Sequence, residues 1–149
     1  MNRRNFIEIG LGVAAATVLP VSLSAVDFRK TKEKAWLEKD VSKAIEGLYG
    51  SSSTTQGKVK LKAPDIAENG AIVPITISSD LSATTVSLYQ DSNPEAAVAV
   101  WTVPAGGVVD YSLRIKMQKT GTVTAVVESD GKLYTDKKLV KVTKGGCGG

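Results

Sequence analysis

The sequence predicts a mainly β protein: a two-layer antiparallel sandwich of about seven short strands, preceded by one amphipathic helix and followed by a glycine-rich arm. Three observations point there. Residues 31–48 carry apolar side chains at helical period, from residue 58 onward the apolar period drops to two, and two-residue turn signals separate several of the alternating stretches. At 149 residues, 42% apolar and 23% charged, the chain can bury one ordinary core and has little room for a second. The same composition separates it from disordered tails and from bundles of membrane helices.

Residues 1–24 read as an export signal. A basic start (Arg3, Arg4) leads into an apolar stretch near Gly10–Leu19 and then small residues at Ser22, Ser24 and Ala25. The stretch is short and rich in Ala and Gly, a poor permanent span. Arg3-Arg4 followed by Phe6-Ile7 resembles the twin-arginine address of bacteria. Cleavage after Ser24 or Ala25 would place the mature protein in the periplasm with no membrane segment. Loss of the leader leaves 17 basic against 14 acidic side chains, scattered rather than clustered, which is no nucleic-acid footprint.

Residues 25–57 hold the helix and a polar loop. Leu37, Val41, Ala44, Ile45 and Leu48 share one stripe from a single helix over Thr31–Leu48, and Gly50 supplies a stop. Packing of that stripe on its own domain is the expected use, ahead of a seat for a partner. Ser51-Ser52-Ser53-Thr54-Thr55-Gln56-Gly57 reads as a connecting loop.

Residues 58–143 form the sandwich. Val59, Leu61 and Ala63 alternate with lysines, and Val73, Ile75 and Ile77 alternate with Pro74, Thr76 and Ser78. Tyr111, Leu113, Ile115 and Met117, then Val123, Ala125 and Val127, repeat the pattern, with further strands near 84–90, 96–103 and 132–142. Such alternation implies one buried and one wet face per strand, hence antiparallel pairing. Asn69-Gly70 and Asp130-Gly131 are two-residue hairpin signals, since both central residues of that turn need positive φ. Pro74 cannot donate to a ladder, so its strand is expected to be bulged or at an edge there. The strand count and spacing fit an immunoglobulin-like sandwich without its disulfide and tryptophan signature.

The chemistry available is narrow. There is no histidine and one cysteine, so Ser-His-Asp and Cys-His catalysis, an internal disulfide and a cysteine zinc cluster are all excluded within the chain. No phosphate-cradling glycine motif and no metal-ligand spacing is present, and no cofactor or metal is expected. Asp65 with Glu68, and Glu128 with Asp130, are carboxylate pairs at turns, where solvated acids are ordinary. Lys137, Lys138, Lys141 and Lys144 put positive charge beside the tail; they suit a solvated edge strand, which is the commoner role, or an anionic cargo or acidic partner surface.

Residues 144–149 are the exception. Cys147 is bracketed by Gly145-Gly146 and Gly148-Gly149. Glycine keeps such a tether thin and lets it turn through either sign of φ, so a mobile arm able to enter a narrow tunnel is expected. A thiolate is both nucleophile and leaving group, so sulfur can load and leave. Nothing in glycine activates the thiol; activation would come from the site it enters.

The Gly-Gly-Cys-Gly-Gly ending resembles the signature of SoxY, the sulfur-carrier subunit of the thiosulfate-oxidising Sox system. Glu68-Asn69-Gly70 before Val73-Pro74, and Asn93-Pro94 before Val98-Ala99, are similar to that family as well. The resemblance implies a non-enzymatic carrier whose Cys147 holds thiosulfate as an S-thiosulfonate, or a persulfide-type intermediate. It implies a heterodimer with a SoxZ-like subunit, and separate Sox enzymes that load, hydrolyse and oxidise the cargo.

Two other classes compete. A ubiquitin-like carrier would use the Gly148-Gly149 carboxylate as a thiocarboxylate and would need no cysteine. A structural or binding module would use Cys147 for a permanent intermolecular disulfide.

Overall fold

The computed structural model describes residues 26–144. The expected leader at residues 1–24 and the arm residues Gly145, Gly146, Cys147, Gly148 and Gly149 lie outside that range. Among the described residues no helix is long and apolar enough to cross a membrane.

The single helix expected over residues 31–48 is three: α1 (Phe28–Thr31), α2 (Glu33–Leu37) and α3 (Val41–Tyr49). Asp27 caps α1, accepting the N–H groups of Arg29 and Lys30. The break before α3 has a local cause. Glu38 is extended, and Asp40 accepts the N–H of Lys43 at 3.1 Å, a side-chain cap that starts a new helix. The stripe is therefore cut: Ala44, Ile45 and Leu48 are buried, whereas Leu37 is 63% exposed. Gly50 ends α3 in the left-handed region (φ 76°), and its N–H returns to the carbonyl of Glu46. Gly47 lies where α2 crosses α3, so close that a Cβ would stand 3.1 Å from Ala35.

All seven expected strands are present: β2 (Lys60–Lys62), β4 (Val73–Ser79), β5 (Thr85–Gln90), β6 (Ala97–Thr102), β7 (Val109–Ile115), β8 (Gly121–Ser129) and β9 (Lys132–Val142). Two-residue strands β1 (Thr55–Gln56) and β3 (Ile66–Ala67) add to them, and both pair with β9 in parallel, which the antiparallel expectation missed. The larger sheet runs β1-β9-β8-β5-β6, with β3 also on β9, and the smaller runs β2-β4-β7. Between them lies the main core: Val73, Ile75 and Ile77 from β4 face Val86 and Leu88 from β5 and Val123, Ala125 and Val127 from β8. Each of the valine, leucine and isoleucine side chains contributes about 1.5–3 kcal/mol on burial.

The expected wet face of β8 is dry. Thr124 and Val126 are as buried as their neighbours, because α3 lies on the outer face of this sheet and packs Ala44 and Ile45 against Tyr89, Ala96, Val126 and Leu133. Under the helix, Tyr49 and Ser87 share a hydroxyl hydrogen bond of 2.8 Å, and Thr85 donates to the Glu128 carboxylate. Burial pushes the phenol of Tyr49 up from its ordinary value and that of Tyr89 up further; the Tyr89 hydroxyl has no partner among the described residues.

The turn readings divide. Asp130 (φ 51°) and Gly131 (φ 70°) make the expected hairpin between β8 and β9. Asn69-Gly70 does not make a hairpin, since β3 before it pairs with β9 rather than with β4. Its Asn69 side chain instead accepts the N–H of Ala71 at 2.9 Å, a local turn of the Asx kind. Pro74 behaves as expected: β2 pairs only with Thr76–Ser78, so at Pro74 the strand has a neighbour on one side alone.

Candidate functional site: the root of the arm

The sulfur chemistry expected at Cys147 has to be launched from the last described residues, and these are held by backbone. The Lys141 N–H donates to the carbonyl of Asp65 (2.9 Å), the Thr143 N–H to Ala67 (3.1 Å), and the carbonyl of Lys144 accepts from Gly70 N–H (2.9 Å). On the other side the Val142 N–H donates to the Thr120 hydroxyl at 2.9 Å. The chain is thus anchored through Lys144. In the sequence Cys147 follows Lys144 by three residues, a stretch that spans at most about 11 Å even when fully extended.

A second set of bonds fixes the anchor itself. The Gly70 carbonyl accepts from Met117 N–H at 2.7 Å, so one glycine joins the arm root to the loop after β7. That loop is clamped by Asn93, whose side-chain amide donates to Lys116 carbonyl (2.8 Å) and accepts from Gln118 N–H (3.0 Å). Asn93 is set in turn by Gln90, whose buried side-chain oxygen accepts from the N–H groups of Ser92 and Asn93 and from the Ser92 hydroxyl. The Glu68-Asn69-Gly70 and Asn93-Pro94 segments, distant in sequence, meet at this one end of the sandwich.

The carboxylate pairs do not form sites. Asp65 is taken by Lys138, 2.6 Å away, and the hydrogen bond and charge of that lysine hold its carboxyl below the usual range. The Glu68 side chain makes no hydrogen bond or ion pair among the described residues; its backbone carbonyl accepts from Thr143 Oγ1. Glu128 is committed to Thr84 and Thr85, and Asp130 serves the hairpin. The lysines divide as well: Lys138 is paired with Asp65, whereas Lys137, Lys141 and Lys144 are exposed.

Two concavities flank the root. A groove of about 640 Å³ runs between the open edges β6 and β7, and its near end is Asn93, Lys116 and Gln118; outside its lining, Trp101 of β6 stacks on Tyr111 of β7 (5.2 Å between rings). A smaller depression of about 450 Å³ is lined by Asp65, Ile66, Lys138, Leu139 and Lys141. Sequence reasoning missed Gly70, Met117 and Gln90 as parts of the anchor. Two of them act through the backbone, which leaves no residue-type signal; a buried glutamine before a turn was the one available hint.

The family model described as sulfur oxidation protein SoxY matches residues 45–147, a span that ends on Cys147. The solved structure of the sulfur carrier protein SoxY from Chlorobium limicola f thiosulfatophilum is similar with 37% identity and a TM-score of 0.64, over 69% of this chain and 96% of that one. The superoxide reductase (neelaredoxin) of Ignicoccus hospitalis, at 18% identity and a TM-score of 0.52 over 58% of this chain and 80% of that one, shares the fold alone. No curated protein matches.

Proposed function

Since the chain belongs to the SoxY family of sulfur oxidation proteins, we propose that it is a periplasmic carrier that holds thiosulfate-derived sulfur on Cys147 and presents it to separate enzymes. The observation that carries this reading is the pairing of a fixed root with a lone thiol three glycine-flanked positions beyond it. Loading joins the Cys147 sulfur to the terminal sulfur of thiosulfate; the two electrons released go to an acceptor on the loading enzyme and the thiol proton goes to solvent. Hydrolysis of the outer sulfonate as sulfate then leaves a persulfide-level sulfur on the arm for further oxidation.

The body supports the reading by what it supplies: a rigid platform, with its carboxylates engaged or dispersed, and an anchor that sets where the thiol starts. Heterodimer formation with a SoxZ-like subunit, and export of the assembled pair by the twin-arginine route, complete the proposal. Intact-mass measurement after exposure to thiosulfate and the loading enzyme tests it: the wild-type chain gains sulfur adducts and Cys147→Ala gains none. Adducts that survive in Cys147→Ala overturn the proposal, and loss of adducts on deleting only Gly148 and Gly149 favours thiocarboxylate chemistry instead.

A further inference from the structure

An arm of about 10 Å imposes a condition on its clients: any enzyme that takes Cys147 into a recessed site must bring its own surface against the root. The surface there is unusual for this molecule. Six large apolar side chains among the described residues are exposed, and three of them line the segments that hold the root: Ile66 (58%), Leu139 (54%) and Ile72 (57%).

Register places two of these with cations on a single face. Along β9 the side chains of Lys137, Leu139 and Lys141 share one side by the period of two, the side that α3 covers further back at Leu133. Ile66 is the parallel partner of Lys141 and points the same way. The helix stops short, so Ile66 and Leu139 stand open between exposed Lys137 and Lys141, with Lys144 following at the root. The nearby Asp65 is neutralised by Lys138, which leaves the patch a net positive rim.

We propose that the Ile66–Leu139 patch is the docking surface for the enzymes that receive the arm. The partner it fits has an apolar seat rimmed by carboxylates around the mouth of its active-site tunnel. The apolar pair gives the contact its desolvated centre, and the lysines give it orientation and on-rate. This inference rests on the carrier reading above.

The test uses the mature chain with its partner subunit as the substrate of the enzyme that loads thiosulfate. Leu139→Asp and Ile66→Asp should each raise the KM for the carrier about ten-fold with kcat little changed. Lys141→Glu should raise it at low salt and lose that effect at high salt. Val108→Asp, at a still more exposed apolar position just before β7 and far from the Ile115 end, should change neither constant. Unaltered melting and unaltered alkylation of Cys147 by iodoacetamide show that the variants are folded and the thiol intact. An unchanged KM in the three patch variants overturns the docking proposal, even if Cys147 remains essential. So does loss of the partner subunit, or of a self-associated form, from Leu139→Asp, since the patch would then be a subunit interface. Loading of Cys147→Ala would overturn the carrier reading itself and is separately visible.

Discussion

The backbone N–H of Gly70 donates to the carbonyl of Lys144 at 2.9 Å, while the carbonyl of the same glycine accepts from Met117 at 2.7 Å. The root of the arm is therefore tied to the sandwich through a loop that is itself tied down. The last described residue thus has a fixed position relative to both sheets.

Asn93 should control how firmly that root is held. Asn93→Ala removes both side-chain bonds to the 116–118 loop and should cost about 1–3 kcal/mol. Amide exchange at Met117 and Gly70, followed by NMR, should accelerate about ten-fold more than exchange in β5 and β8. Uniform acceleration everywhere would mean that Asn93 serves global stability only.

Gly121 is required by space rather than by φ. A Cβ there would meet the Asp91 carboxylate at 2.5 Å and the Ser92 Cβ at 2.8 Å, next to the bond by which Thr122 N–H donates to Asp91. Gly121→Ala should lower stability by about 1–3 kcal/mol in urea unfolding. A neutral result would show that the 91–92 turn yields freely.

Tyr49 and Tyr89 predict an alkaline limit. Burial raises both phenols, so their folded pKa values exceed the unfolded value. The sign follows: their contribution is complete below about pH 10 and is lost as pH rises toward the folded values, because the unfolded chain releases those protons first. Tyrosinate absorbance should show a component that appears only together with loss of near-ultraviolet dichroism. Full ionisation of all tyrosines in the folded chain would contradict the burial of these two.

Much of this frame was readable in advance. The strand at 132–142 has the expected bounds, and Asp130-Gly131 turns as its residue types require. The failures share a cause: side-chain patterns describe faces, and the missed features depend on what another element does. Val126 and Thr124 are buried because α3 arrives from outside the strand, and Asn69-Gly70 makes no hairpin because β3 finds β9 first. The helix breaks at Asp40 because one carboxylate captures the Lys43 N–H, a local contest that the apolar stripe hides. At the site, Cys147 was singled out by its glycine frame, whereas the anchor of Gly70, Met117 and Asn93 consists of hydrogen bonds between loops far apart in sequence.

The central claim is that the carried sulfur sits on Cys147, and Lys144 makes that directly measurable. Trypsin should release Gly145–Gly149 as a single pentapeptide from the folded carrier after turnover with thiosulfate and the loading enzyme. Under non-reducing mass spectrometry that peptide should carry the thiosulfate-derived mass, which a reducing agent then removes. An unmodified pentapeptide, with the added sulfur found elsewhere on the chain or nowhere, would contradict the account.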